Sequence, residues 1–387
     1  MQRLLAYTDK LSVRPGDEIQ VKVSAPGSEA YRARFVRVIC GDDSDEGPGF
    51  KLEPVKGVPE TQHAGRYQPI PCGSYVVVKD RKGFALASFS VSAFIWPTWI
   101  DKGEAQCILG NWDAATGTGY ALYLDEKGRL ALRVGDSAPV ALSEPFLSRH
   151  WYRIAASFDA KSGQVTLAAH RALPYGGLEQ RWTVKGKANA SDAANRFLIA
   201  AWNDGAKAAA HFNGKIDSPA IFGRALKIEA LLTPPGGRGA LTARQSVASW
   251  DFSRDIPGIS IIDRGPKRRN GQTVNLPTRA MTGWNWDGSE HNWTHKPEHY
   301  GAIHFHDDDL YDCGWETDFK LRLPKSLKSG IYCLHLTQGA LEEFTPIFVC
   351  PPKGKATAKL AFLVPTASYL AYANHQMGTS WHFDELS

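Results

Sequence analysis

The chain has 387 residues, 43% hydrophobic and 22% charged, which excludes a disordered or fibrous protein and leaves room for about two to four domains. Its 45 basic and 40 acidic residues leave a net charge of +5, spread along the chain. Lys79–Lys82 and Pro266–Asn270 are the only short basic runs, so nucleic acid is not expected as a partner.

With 36 Gly, 23 Pro and 12 Trp against 3 Met, turn-formers and aromatics outweigh flexible helix-formers, which favours many short strands. No stretch approaches the roughly 18 consecutive apolar residues of a membrane helix. The opening MQRLLAYTDKLSVRPGDE has no charged segment leading into an apolar one, so a cytoplasmic protein is expected. None of the six cysteines forms a CxxC pair, and they read as reduced, buried thiols.

In chain order, residues 1–82 read as the first half of an N-terminal β-domain. LSVRPGDEIQVKVSAP carries a Pro-Gly turn between alternating runs, and YRARFVRVIC and CGSYVVVKD are further β-branched runs. Residues 83–232 alternate apolar and polar positions with great regularity. GYALYLDEKGRLALRVG and HWYRIAASFDAKSGQVTLAAH are hairpins with Gly-bearing turns, which predicts an antiparallel sandwich. The FSVSAFIWP strand and the closing FNGKIDSPAIFGRAL resemble the concanavalin A/laminin-G family over about residues 84–228.

Residues 233–277, opening on TPPGGRG, read as linker and connecting strands. Residues 278–352 are strand-rich again and read as the second half of the first β-domain, the sandwich being inserted between the halves. From 353 onward, LAFLVP is a continuous apolar run suited to a strand buried on both faces. TASYLAYANHQ then starts a helix with Thr as a possible cap. The fold class is therefore mainly β: a sandwich, a second sandwich-like domain, and the first β-α step of an incomplete α/β domain.

Five histidines (His291, His295, His299, His304 and His306) run into Asp307, Asp308, Asp309 and Asp312. Metal binding is one reading, since 4-residue spacing stacks ligands on a helix and His304/His306 share a strand face. Pro297 breaks the helix and no HExxH glutamate is present, so a structural loop is preferred. The Trp-rich Thr282–Trp293 reads as packing rather than a sugar platform. No GxSxG elbow, P-loop or Rossmann glycine pattern occurs.

Several segments together resemble the large (beta) subunit family of N,N-dimethylformamidase. They are LLAYTDKLSVRPGDEIQVKVSA, RVICGDDSDEGPGFK, NGKIDSPAIFGRAL, TGWNWDGSEHNWTHKPEHYGAIHFHDDDLYDCGWETDF and PTASYLAYANHQ. The resemblance implies hydrolysis of N,N-dimethylformamide to dimethylamine and formate. It also implies a mononuclear ferric iron held by two tyrosines and a glutamate, and a small subunit in a hetero-oligomer. Carried over onto SYLAYAN, the first tyrosine ligand falls on Tyr372, with Tyr369 as the alternative. The family's second tyrosine and its glutamate lie beyond this segment, so the chain is expected to stop inside the catalytic domain and to be iron-free and inactive alone. The competing reading is a non-catalytic laminin-G-like module that binds carbohydrate or protein.

Overall fold

A computed structural model describes residues 3–42, 44–172, 181–191, 193–237 and 239–372. The chain divides into two compact units, Met1–Ile70 with Gly314–Ser387, and Pro71–Cys313.

In the Pro71–Cys313 unit, Phe89–Pro97 lies between Tyr152–Asp159 and Gly214–Phe222, antiparallel to both, with Ile154 opposite Ala93 and Ile216 opposite Ile95. Tyr152–Asp159 continues to Gln164–Arg171 and Arg181–Lys187. The facing layer pairs Gln106–Gly110, Tyr120–Leu124 and Leu130–Val134, with Phe197–Ile199 and Tyr75–Val78 alongside. Alternate residues of each strand meet in one apolar core that includes Val91, Ile95, Leu122, Leu132, Phe158 and Leu167. Period-2 alternation is what sends these side chains inward together.

The hairpin turns form where Gly was expected. Gly128 sits at φ +72°, and Asp125 Oδ1 accepts from the Lys127 and Arg129 amides at 3.0 and 2.9 Å. Such a side chain stands in for the missing ladder bonds of the turn.

The stretch 233–277, expected as linker and connecting strands, does carry strands, and they belong to this unit. Ala248–Asp251, Ser260–Asp263 and Gly271–Val274 form strands that carry the hydrogen bonding from Ile221 round to Val76. Trp250 and Ile261 are fully buried. Each strand is only four residues long, too short for alternation to register in sequence. Asp263 anchors them by accepting from the backbone N–H groups of Ser249, Gly265 and Arg269 at 2.8, 2.6 and 2.6 Å. Thr278–Met281 and Ala302–Phe305 also pair here, Gly214 lying opposite Phe305, so residues 278–313 belong with the sandwich rather than with the other unit.

In the other unit, strand pairing joins the two ends of the chain. Tyr31–Cys40 pairs with Gly330–Gln338, Phe35 opposite Leu334, and Leu5–Thr8, Glu18–Ser24 and Phe319–Arg322 form a second sheet. Ile19, Val21, Phe35, Leu334, Leu336 and Ile347 are its buried core.

The expected β-α step is corrected in its first half. Residues 360–365 form no strand, and Leu360 and Leu363 are about 90% exposed (89% and 92%). An apolar run becomes a parallel strand only when neighbours cover both faces, and none does so among the described residues. The helix does follow, over Thr366–Tyr372.

No described helix is long and apolar enough to cross a membrane.

Candidate functional site

The strongest candidate site is a cavity of about 410 Å³ in the Pro71–Cys313 unit. It lies on the face of the sheet of Phe89–Pro97, Tyr152–Asp159 and Gly214–Phe222 that looks away from the apolar core, with Ala248–Asp251 at its edge.

Phe89–Pro97 contributes Ser92, and Tyr152–Asp159 contributes Arg153. Gly214–Phe222 contributes Asp217 at a break in register between Asp217 and Ala220, where Ser218 takes φ +47°. The left-handed backbone at Ser218 lies where a non-glycine residue is uncommon. Trp284 and Asn285 from the Trp-rich segment and Glu298 from the 3₁₀ turn Pro297–Tyr300 complete the wall.

Arg153 is buried, at 6% exposure. Its Nε donates to the Leu231 carbonyl and its Nη2 to Ser92 Oγ, both at 3.1 Å, and the guanidinium lies 4.6 Å from the Phe94 ring centre. Nη1 has no partner. Burial pulls its pKa down to about 10.

Asp217 is also buried, at 4% exposure. Ser218 Oγ donates to its Oδ1 at 2.8 Å, and the Trp284 amide to its Oδ2 at 3.4 Å. Burial, reinforced by Asp251, raises its pKa to about 7 against those two donors. Gly283 passes so close that an added Cβ would stand 2.5 Å from Asp217 Oδ2 and 3.0 Å from Asn285 Oδ1. Asn285 Nδ2 donates to the Glu298 carbonyl at 3.1 Å, while its Oδ1 is buried with no partner among the described residues. The cavity floor thus holds an unpaired cationic donor, a carboxylate and an unpaired amide oxygen.

Neither Arg153 nor Asp217 was singled out from sequence, although both stand in recognised strands. The available signal was a charge interrupting an apolar strand: Arg153 in YRIAASF and Asp217 in GKIDSPAIF.

The His/Asp segment resolves into separate local contacts. His291 and His295 flank a turn, where His295 Nδ1 meets Glu290 Oε2 at 3.2 Å; His299 sits in a 3₁₀ turn over Pro297–Tyr300, its Nδ1 3.4 Å from Asp287 Oδ1. His304 and His306 rings lie 4.1 Å apart, and His306 Nδ1 faces Asp309 Oδ2 at 3.4 Å. Burial, with the charges of His306 and Lys215, lowers the His304 pKa to about 4; the Asp309 contact raises that of His306. No group of three or more His, Cys, Asp or Glu able to hold a metal occurs among the described residues.

The Trp-rich stretch packs: Trp284 stacks on Phe94, ring centres 4.2 Å apart with parallel planes, and Trp286 Nε1 donates to the Glu290 carbonyl at 3.1 Å. Cys107 and Cys333 are buried, but Cys72 is exposed, unlike the expected buried thiol.

Tyr369 is 48% exposed, with its ring 6.0 Å from that of Phe348. Tyr372 closes the helix, and its side chain falls outside the described residues.

Residues 278–386 match the family described as N,N-dimethylformamidase beta subunit-like, C-terminal. Residues 72–230 match the concanavalin A-like lectin/glucanases superfamily. Over 97% of its length the chain is 38% identical to the N,N-dimethylformamidase beta subunit of Paracoccus aminophilus, covering 52% of that protein. It is 36% identical to that of an Alcaligenes species, over 96% of this chain and 52% of the other. Among solved structures, the CBM40 of Ruminococcus gnavus IT-sialidase is a distant likeness, at 12% identity and a TM-score of 0.34 over 43% of this chain and 94% of that one. The chain spans about half the length of the curated relatives it matches, and over nearly all of its own length it is similar in sequence to N,N-dimethylformamidase beta subunits.

Proposed function

We propose that this chain is the β-rich portion of an amide hydrolase that cleaves the C–N bond of a small N-substituted amide, with N,N-dimethylformamide going to dimethylamine and formate. The observation that carries this reading is the 38% identity to an N,N-dimethylformamidase beta subunit across nearly the entire chain. The relatives' designation as beta subunits supports a small-subunit partner in a hetero-oligomer.

Ferric iron belongs to the same proposal, with Tyr372 as the ligand this chain contributes and Tyr369 as its alternative. A phenolate is a hard anionic oxygen donor suited to such an ion. The described residues do not assemble a site for it: Tyr369 is half exposed against Phe348, and no acidic, His or Cys cluster stands ready to complete the ligand set.

The test joins this chain to the half of the Paracoccus aminophilus beta subunit that it does not cover, expressed with the small subunit. The fused protein is expected to take up iron and release dimethylamine, and the 387-residue chain alone to do neither. A folded, iron-loaded fusion that hydrolyses no N-substituted formamide would overturn the reading, as would activity from the chain alone.

A further inference from the structure

We propose that the cavity bordered by Arg153 and Glu298 binds a free α-amino acid with an apolar side chain, held as its zwitterion. Unmatched charges, unpartnered atoms and the mixed lining of one cavity carry this together.

The charges can be counted in full. Arg153, Arg264, Asp217, Asp251 and Glu298 border the cavity. Arg264 is matched by Asp251 at 3.1 Å. Burial, reinforced by Asp251, pushes the Asp217 carboxyl up to about 7, so it is only partly charged at neutral pH. Arg153 and Glu298 remain, one cation and one carboxylate. Among the described residues the Arg153 donors reach only the Leu231 carbonyl and the Ser92 hydroxyl, and Glu298 takes part only through its backbone carbonyl. Arg153 is buried and Glu298 is exposed. Two opposite charges thus face one space without an ion pair between them. A carboxylate alone would meet the first and repel the second, and an ammonium alone would do the reverse. A zwitterion meets both and adds no net charge to a buried site, where uncompensated charge is costly.

The hydrogen-bonding groups agree. Arg153 Nη1 is buried without a partner among the described residues, which native interiors rarely tolerate. A ligand carboxylate would accept from it in a charge-assisted bond. Asn285 Oδ1 is also buried and unpartnered, and the bond from Asn285 Nδ2 to the Glu298 carbonyl keeps the two residues side by side. An ammonium has three N–H donors and can serve that amide oxygen and the Glu298 carboxylate at once.

The rest of the lining fits the side chain of such a ligand. Ala220, Phe222 and Leu241 border the same cavity and belong to the apolar cluster around Leu231. An aliphatic or aromatic side chain would extend that cluster. A volume of about 410 Å³ lies at the small end of ligand pockets, which run to roughly 300–1,000 Å³, and suits one amino acid rather than a long peptide.

The test titrates the purified chain at neutral pH with L-leucine, L-methionine and L-phenylalanine, followed by saturation-transfer NMR and calorimetry. Saturable binding of at least one is expected, with a Kd on the order of 1 mM. The amide of the best binder lacks the carboxylate and its N-acetyl derivative lacks the ammonium; each is expected to bind at least about tenfold more weakly. Glu298→Gln changes an exposed side chain, and is expected to weaken the amino acid about tenfold while leaving the N-acetyl derivative unchanged. Arg153→Gln should weaken the amino acid and leave the amide derivative unchanged. Where that variant fails to fold, the derivatives on the wild-type chain decide the same point. The proposal is overturned if none of the three amino acids binds by about 50 mM, or if both derivatives bind as tightly as the parent. Wild-type affinity in Glu298→Gln would overturn it too, as would tighter binding of methyl β-glucoside than of all three amino acids.

Discussion

The strand Tyr152–Asp159 is buried on both faces, and the two faces are made of different chemistry. Tyr152, Ile154, Ala156 and Phe158 enter the main apolar core. Arg153 and Ala155 turn the other way, where Ala155 packs with Ala220, Phe222 and Leu231, and Arg153 borders the cavity. Neighbouring Phe89–Pro97 repeats the division, with Val91 and Ile95 on one side and Ser92 on the other. The apolar face accounts for the sandwich by area removed from water. The opposite face retains unpaired polar atoms that packing alone does not require, and that asymmetry is what marks it as a site.

The comparison breaks most sharply at the core. Phe158→Ala leaves a void among fully buried side chains and is expected to cost about 3–5 kcal/mol in urea unfolding. A loss below about 1 kcal/mol would mean that the apolar face is not the sandwich's main support.

Asp217→Asn probes the polar face through pH. The folded-state pKa of Asp217 is raised to about 7 by burial, from an ordinary value of 3.8. A raised carboxyl contributes stability that is fully present below its unfolded pKa and is lost as pH rises through the folded one. Relative to Asp217→Asn, the wild-type chain should therefore lose stability between about pH 4 and pH 8, by about 2–4 kcal/mol in all. Parallel stability-pH curves for the two proteins would show that Asp217 is solvated rather than buried among apolar groups.

His304 gives the opposite sign. Its pKa is lowered to about 4 by burial, then by His306 and Lys215, so its contribution is present above its unfolded value near 6.5 and is lost as pH falls toward 4. A His304→Gln variant should lose less than the wild type over that window, by about 1 kcal/mol after screening. The smallest effect is expected at Tyr369→Phe, which removes one half-exposed hydroxyl and should change stability by less than about 0.5 kcal/mol.

Much of the sandwich was legible because its strands are long and its turns carry glycine. Phe89–Pro97, Tyr120–Leu124 and Tyr152–Asp159 lie where alternation placed them. The strands at 248–274 were legible only as connecting strands, not as members of the sandwich: four residues hold barely two periods, and their place is set by long-range partners such as Asp263 and Val76. Leu360–Pro365 misled for the converse reason, since an apolar run states a need for neighbours without supplying them.

The candidate cavity was invisible from sequence, because Arg153, Asp217 and Asn285 are separated by more than sixty residues at each step and meet only through sheet pairing. The resemblance to N,N-dimethylformamidase beta subunits, by contrast, was legible in idiosyncratic segments such as TGWNWDGSEHNW, which lies inside the matched residues 278–386.

The hydrolase account is tested most directly by dimethylamine release from the fused, iron-loaded protein carrying Tyr372→Phe, with Tyr369→Phe beside it. The account predicts that Tyr372→Phe loses bound iron and at least about tenfold in turnover while Tyr369→Phe keeps both. Full iron content and unchanged dimethylamine release in Tyr372→Phe would contradict it.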